Sequence, residues 1–359
     1  MNALRRSVGD VGSSLIVISL VATGCGQAGN TRPALPELSL IGTSEPVPYS
    51  ENHSIALVDT DRVCMIHSYE TQVSCGDRSW NETVTLGQDG EGPGEFRSPL
   101  HVLRGPDGAV GVFDGALARV TVFGPDGRVL LTSPTPFLLS PVTAFDSTVT
   151  GRHARTGAGE EIAGVPMATV HLRRQEIIWD TDLPHPSEVG MRTVSERGLA
   201  GGARSSSGGI TFLTGNHDFV DYTEEGRVLR TFPAEGYREE YPGPRDIEEY
   251  RSRQFLGSTP GEAEVQRYSE EPKPYMHLGN HMRYDDEDRL WLLTLQDRDA
   301  SSYLDVYQDQ EWLGSVEVRD RAYGFDLLGN LLVVLVERAE FDAEGLAVRA
   351  IDWYEVHPP

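Results

Sequence analysis

Cys64 and Cys75 flank the stretch Met65–Ser74, whose residue numbers are symmetric about Tyr69-Glu70. A hairpin turning there sets the two sulfurs opposite each other on neighbouring strands, at the Cα spacing a disulfide needs. No Cys-x-x-Cys occurs, so a disulfide is expected at this pair rather than a metal or thiol site. Two Gly-Asn-His tripeptides, at 215–217 and 279–281, offer Asn216, His217, Asn280 and His281 as metal ligands. The first falls in a hairpin turn and the second at a strand entrance, so coincidence is the favoured reading of their recurrence. Asp285, Asp286, Glu287 and Asp288 have the composition of a calcium loop without its spacing, central glycine or closing glutamate, and a solvated turn is expected there. The one lysine, Lys273, stands between Pro272 and Pro274, which argues against Schiff-base chemistry. His-Glu-x-x-His and Gly-x-Ser-x-Gly are both absent from the sequence.

The elements that must position these residues follow from composition and turn spacing. The 359 residues include 31 Lys plus Arg against 55 Asp plus Glu, a formal charge of -24, which argues against a nucleic-acid partner. With 38 glycines and 22 prolines, the chain is built for tight turns rather than long helices. The length suffices for a substantial core. Three cysteines are too few for a disulfide-dense scaffold.

Turn-bracketed strand runs repeat along the chain. Gly105-Pro106-Asp107-Gly108 leads into Ala109–Phe113, and Gly124-Pro125-Asp126-Gly127 separates Arg119–Phe123 from Arg128–Leu131. The same plan recurs around Ser207-Gly208-Gly209 and Glu224-Glu225-Gly226. Looser copies place the first turn of each unit near residues 60, 107, 146, 208, 287 and 328. Six four-stranded meanders read as an all-β, six-bladed β-propeller over residues 51–359, with a β-sandwich or two unrelated β domains as the alternative. The last unit is short of an outer strand, and Leu38–Ile41 is the available donor for closing the ring. One interruption is helical: Pro244-Arg245-Asp246 starts a helix, and a second runs within 261–268, so an insertion is expected around residues 244–268. It either covers one mouth of the ring and docks partners, or decorates the surface in solvent.

The N-terminus has Arg5 and Arg6, an apolar run from Leu15 to Ala22, then Ala22-Thr23-Gly24-Cys25. A run this short cannot span the hydrocarbon of a bilayer. It resembles the lipobox of bacterial lipoproteins, which implies a signal peptide over 1–24, lipid attachment at Cys25 and a flexible tether over 25–50. Export to an oxidising compartment also suits the disulfide.

Gly87-Gln88-Asp89-Gly90-Glu91-Gly92-Pro93-Gly94-Glu95-Phe96, followed by Asp114 and Arg119-Val120-Thr121-Val122-Phe123, resembles one NHL repeat. The whole chain is similar to bacterial six-bladed β-propeller lipoproteins related to NHL proteins. In this pattern Gly92, Pro93 and Gly94 form an inter-blade loop and Phe96 plugs the gap between blades. Asp114 and Arg119 are expected to pair across the inner hairpin connection, and Phe123 closes the strand. Asp288 stands where such a turn usually has glycine.

The resulting expectation is a lipid-anchored binding or protein-interaction module of the cell envelope, facing periplasm or exterior, with the outer membrane mildly preferred. It is expected to be a monomer that takes a protein or small-molecule ligand. The alternative is a calcium- or zinc-dependent hydrolase or lyase of the propeller-lactonase type, acting on a small molecule in the central channel. No catalytic residue set is assigned and no cofactor is specified; calcium is the candidate the lactonase resemblance would imply.

Overall fold

A computed structural model describes residues 34–48, 53–67, 71–141, 146–153, 164–184, 201–214, 217–223, 225–252, 259–276, 281–299, 301–343 and 345–358. Cys25 and the apolar run before it lie outside these residues, as do Asn216, Asn280 and most of the Gly157–Gly164 loop. Among the described residues no helix is long and apolar enough to cross a membrane.

Six antiparallel sheets of four strands account for most of the chain. Blade 1 runs through Ile55–Asp59, Arg62–His67, Gln72–Asp77 and Thr83–Leu86, and blade 2 through Pro99–Arg104, Val110–Asp114, Arg119–Phe123 and Val129–Pro134. Blade 3 comprises Phe137–Pro141, Thr148–His153, Gly164–His171 and Glu176–Pro184; blade 4 comprises Gly201–Arg204, Ile210–Leu213, Asp218–Tyr222 and Val228–Pro233. Blade 5 is Met282–Tyr284, Leu290–Leu293, Ser302–Gln308 and Glu311–Val318. Blade 6 takes Arg321–Leu328, Leu331–Phe341 and Ala347–His357 from the C-terminal end, and its outer strand, Glu37–Thr43, from the N-terminal end. That strand pairs antiparallel with Ala347–His357, from Glu37 opposite His357 to Thr43 opposite Asp352. The six first turns read from the sequence are the six connections between first and second strands.

Side-chain packing closes these sheets into a ring. Each sheet buries apolar side chains on both faces, and each apolar cluster is shared by two neighbours. Val63 and Met65 of blade 1 pack with Val333 and Trp353 of blade 6. Val73 and Leu86 of blade 1 pack with Val112 and Phe123 of blade 2. Phe113 and Val120 of blade 2 meet Ala168 and Val170 of blade 3. Met167 of blade 3 meets Phe212 and Tyr222 of blade 4. Phe219 of blade 4 joins Leu292 and Tyr307 of blade 5, and Val306 joins Phe325 and Val334 of blade 6. The chain of contacts returns to its start, and the sheet arrangement is that of an all-β six-bladed propeller.

The turns carry the strain that the sequence anticipates. Gly108 and Asp288 occupy equivalent places after a first strand, with φ of 73° and 56°. Glycine takes this left-handed geometry freely, and aspartate tolerates it better than most residues. This is why Asp288 can replace the usual glycine.

The insertion between blades 4 and 5 forms two helices, α1 (Pro244–Ser252) and α2 (Glu262–Glu270). Pro244 opens α1, where its missing N–H costs nothing. In α2, the Glu264 carboxylate accepts from the Gly261 N–H at 2.8 Å. The helices stack Tyr250 on Tyr268 with ring centroids 4.2 Å apart. Far from being a solvated decoration, α1 is fastened to blades 5 and 6 and to the segment after α2 through buried charges. Asp246 accepts from Lys273 Nζ and Arg321 Nη2, both at 3.1 Å, and Glu249 pairs with Arg321 at 2.7 Å and Arg298 at 3.4 Å.

Candidate functional site

The Gly-rich segment before blade 2 does structural work. Phe96 is fully buried among Val58, Ile66 and Val73 of blade 1 and Val102 and Val110 of blade 2, with its ring 6.0 Å from that of Phe123. Gly94 has φ of 80°, and a Cβ there would stand 2.8 Å from Val129. Pro93 is exposed in the turn beside it. Asp114 and Arg119 are register partners, yet their side chains serve separate ends. The Asp114 carboxylate accepts from the N–H groups of Arg97 (2.6 Å) and Leu117 (2.9 Å). Arg119 donates to the carbonyls of Glu91, Gly92 and Glu95 at 2.7–2.8 Å. The expected side-chain pairing is replaced by backbone capture, because the loop presents bare carbonyls and amides that each charge can satisfy.

The disulfide forms as expected. Cys64 and Cys75 are directly opposite across the hairpin, with Cα atoms 4.0 Å apart, and both are buried. The histidine candidates lie in different surroundings. His217 (φ 60°) stacks on Tyr237 at 3.5 Å and burial lowers its pKa, whereas His281 is buried just before the inner strand of blade 5. Among the described residues no three His, Cys, Asp or Glu side chains gather as a metal-binding group. Asp286, Glu287 and Asp288 are exposed, as a solvated turn requires, but Asp285 departs from that expectation and is buried. Its carboxylate accepts from the Arg289 and Glu287 N–H groups, from Arg289 Nε (2.7 Å) and from Trp291 Nε1 (2.8 Å). A carboxylate holding together its own turn withdraws from solvent.

The first strands of neighbouring blades lie against one another around the axis. There Asp326 of blade 6, 3% exposed, collects donors from three other blades. Leu57 N–H of blade 1 donates at 2.8 Å, Arg104 Nη1 of blade 2 at 3.3 Å, and Arg283 Nε of blade 5 at 2.8 Å. Arg104 Nη1 also reaches the carbonyls of Leu57 and Leu327. One carboxylate thus joins four of the six blades. Nearby, His101 is buried against Phe113, and desolvation followed by the Arg283 charge lowers its pKa to about 4. It is neutral at physiological pH.

A second polar centre lies off the axis, in a cleft of about 200 Å³ between blades 4 and 5. It is lined by residues near the first-to-second and third-to-fourth strand turns, on the face opposite the start of the inner strands where Arg321 holds α1. A relay crosses its floor: Tyr284 Oη donates to Thr211 Oγ1 (2.7 Å), which donates to Asp221 Oδ1 (2.5 Å). Asp221 Oδ2 is held by Arg230 Nε, and the Arg230 guanidinium lies 5.7 Å from the centre of the Phe232 ring. Burial pushes the phenols of Tyr222 and Tyr284 up to about 12, so both keep their protons at neutral pH. At the rim Asp288 accepts from Ser206 N (2.9 Å) and Ser206 Oγ (2.7 Å), which ties the two blades together. Asp309 and Gln310 close the adjoining hairpin with φ of 50° and 74°. A left-handed glutamine is uncommon, and such strain concentrates at binding loops.

No protein-family model matches the sequence, and no curated protein matches it. Among solved structures, the chain is similar to a member of the DUF4221 family from Bacteroides vulgatus, with a TM-score of 0.54 and 11% identity over 90% of this chain and 99% of that one. It is also similar to a luciferin-regenerating enzyme (TM-score 0.47, 10% identity, 90% and 98% covered). Virginiamycin B lyase from Staphylococcus aureus matches with a TM-score of 0.43 and 12% identity over 90% of this chain and 89% of that one. At these identities the likeness is one of fold.

Neither polar centre was evident from the sequence. The one available signal is positional: Arg104, Arg204 and Tyr284 each stand immediately before the first turn of a unit, and each reaches the preceding blade.

Proposed function

We propose that this protein is an exported, non-enzymatic binding module, held at a bacterial cell envelope by acyl chains on Cys25, with its ligand site in the cleft between blades 4 and 5. The observation that carries the reading is the cleft itself: a concave site between two rigid sheets with convergent polar groups on an aromatic wall, the usual form of a small-molecule site. The axis offers less, because Asp326, Arg104 and Arg283 are engaged with one another. Binding rather than turnover is supported by the lining. Among the described residues no His or Cys lines the cleft, and burial raises the phenols of Tyr222 and Tyr284 to about 12, so neither phenol is a general acid or base poised near pH 7.

With Glu37–Thr43 built into blade 6 and Leu35 packed against the apolar cluster of blades 5 and 6, residues 26–34 are the sequence between Cys25 and the ring. Nine residues, were they extended, would reach about 28 Å at ~3.1 Å each. Native mass spectrometry of protein purified without denaturant should show a co-purifying small molecule that exchanges with added ligand. Mass spectrometry of the amino end should find an acylated Cys25, and Cys25→Ser should move the protein from the membrane to the soluble fraction. A chain retaining unmodified residues 1–24 would overturn the anchoring; steady turnover of a small molecule by the purified protein would overturn the non-enzymatic reading.

A further inference from the structure

The chemistry of the cleft narrows its ligand. Its floor is charge-balanced, since Asp221 is paired with Arg230. Each Asp221 oxygen receives one protein donor, Thr211 on Oδ1 and Arg230 on Oδ2, and each can accept a second hydrogen bond. Arg230 uses Nε for Asp221, and its side chain lines the cleft and is 46% exposed. Carboxylate acceptors and guanidinium donors therefore stand side by side, and Gln308, Ser205 and Ser207 add groups that both donate and accept. A hydroxyl does both at once, and adjacent hydroxyls on one ring can donate to the carboxylate while accepting from the guanidinium. The apolar part of the lining is Tyr222, Phe232, Tyr284 and Tyr307 with Ile210, Leu229 and Leu290, a surface suited to the C–H groups of a saturated ring. At about 200 Å³ the space is smaller than the ~300–1,000 Å³ of drug-sized sites and suits a single ring. Three carboxylates, Asp221, Asp288 and Asp309, line the cleft beside the one guanidinium of Arg230, which disfavours an anion, while the Asp221–Arg230 pair keeps the floor itself neutral.

We infer that the cleft between blades 4 and 5 binds one uncharged sugar residue, either free or as the end of a longer glycan. The inference rests on the reading of this cleft as the ligand site and adds the ligand class. The relay of Tyr284, Thr211 and Asp221 holds the carboxylate as an acceptor, and the Arg230 guanidinium stands 5.7 Å from the centre of the Phe232 ring. Preorganised donors and acceptors of this kind discriminate against analogues that lack a hydroxyl, because their own polar groups would be left unpaired.

The test is calorimetric titration, with saturation-transfer NMR, of the full propeller with D-glucose, D-galactose, D-mannose and N-acetyl-D-glucosamine. Their methyl glycosides and oligosaccharides ending in the same residues follow. At least one sugar should bind saturably, with about tenfold weaker affinity in Arg230→Met and in Gln308→Leu, and unchanged affinity in Arg128→Met on blade 2. Gln308 lies at the rim, so Gln308→Leu keeps the test valid where Arg230→Met disturbs folding; near-UV circular dichroism checks both. Preference for a free sugar over the oligosaccharide, or the reverse, separates the two sources. If tetramethylammonium or inorganic phosphate binds in an Arg230-dependent way and no sugar does, the ligand class is wrong while the cleft remains the site. If sugar binding is indifferent to both cleft substitutions, or no probe binds and no co-purifying molecule is found, the sugar inference and the cleft reading fall together.

Discussion

Asp326 shows how much one side chain can decide in this molecule. Its carboxylate is the meeting point of donors from residues 57, 104 and 283, and it is almost fully buried. Two guanidiniums would be left facing a neutral group in Asp326→Asn, and breaking a buried ionic cluster at one partner typically costs about 3–5 kcal/mol. A urea midpoint shift of that size is expected, with an unchanged slope; a loss under about 1 kcal/mol would mean the cluster is incidental. His101 sets a pH dependence of definite sign. The folded protein binds its proton only near pH 4, whereas the unfolded chain does so near 6.5. As pH falls through that window the unfolded state takes up a proton that the folded state refuses, so stability drops, by about 3 kcal/mol in all. His101→Gln should flatten this part of the curve. Asp305, whose pKa burial raises, works in the opposite sense, so the difference between parent and variant is the quantity to read.

Among the elements, the hairpin of blade 1 and helix α1 are each secured by a local device. The disulfide closes a loop of sequence separation 11, and the chain-entropy model assigns such a loop roughly 3 kcal/mol. Cys64→Ser/Cys75→Ser should lower stability by about that much without changing the strand register, which hydrophobic burial on both sides already sets. Because both cysteines are buried, reductant should act only as fast as the blade opens. Helix α1 depends on Asp246, which meets Lys273 and Arg321 in a buried setting. Asp246→Asn should free the helix while leaving the propeller intact, and limited trypsin digestion should then cut first at Arg245 and Arg251. Uniform resistance across the insertion would show that the Glu249 ion pairs with Arg321 and Arg298 hold the helix without Asp246.

The ring as a whole is closed twice, by the strand Glu37–Thr43 and by the Asp326 cluster, and both devices act around the junction of blades 6 and 1. Removing residues before Ser44 should expose the edge of Ala347–His357, an unpaired row of backbone groups that invites self-association. A lower and broader calorimetric transition, with higher-order species on gel filtration, is the expected result; a monomer with unchanged Tm would make the strand dispensable. Cys25, the anchor proposed above, is close in sequence to the closing strand, so a tether attached there would pull on the sealing strand of the ring.

Sequence alone determined the six-unit plan, the helical insertion and the pairing of Cys64 with Cys75. These are local matters: left-handed turns demand Gly or Asp at fixed offsets, and a symmetric hairpin sets its own register. The positions of Asp326, Arg104 and Arg283 are equally explicit as letters, but nothing nearby distinguishes them from other charged residues. Their partners lie 43 to 269 residues away, and Asp221 and Tyr284 share a relay only because blade 4 packs on blade 5. Asp114 and Arg119 illustrate the same boundary, since register made them neighbours while the folded loop before blade 2 decided what each would bind. Tertiary structure decided these contacts because they join separate blades, and which side chains face each other across a gap depends on how sheets twist and close. Short-range pattern carries no record of that.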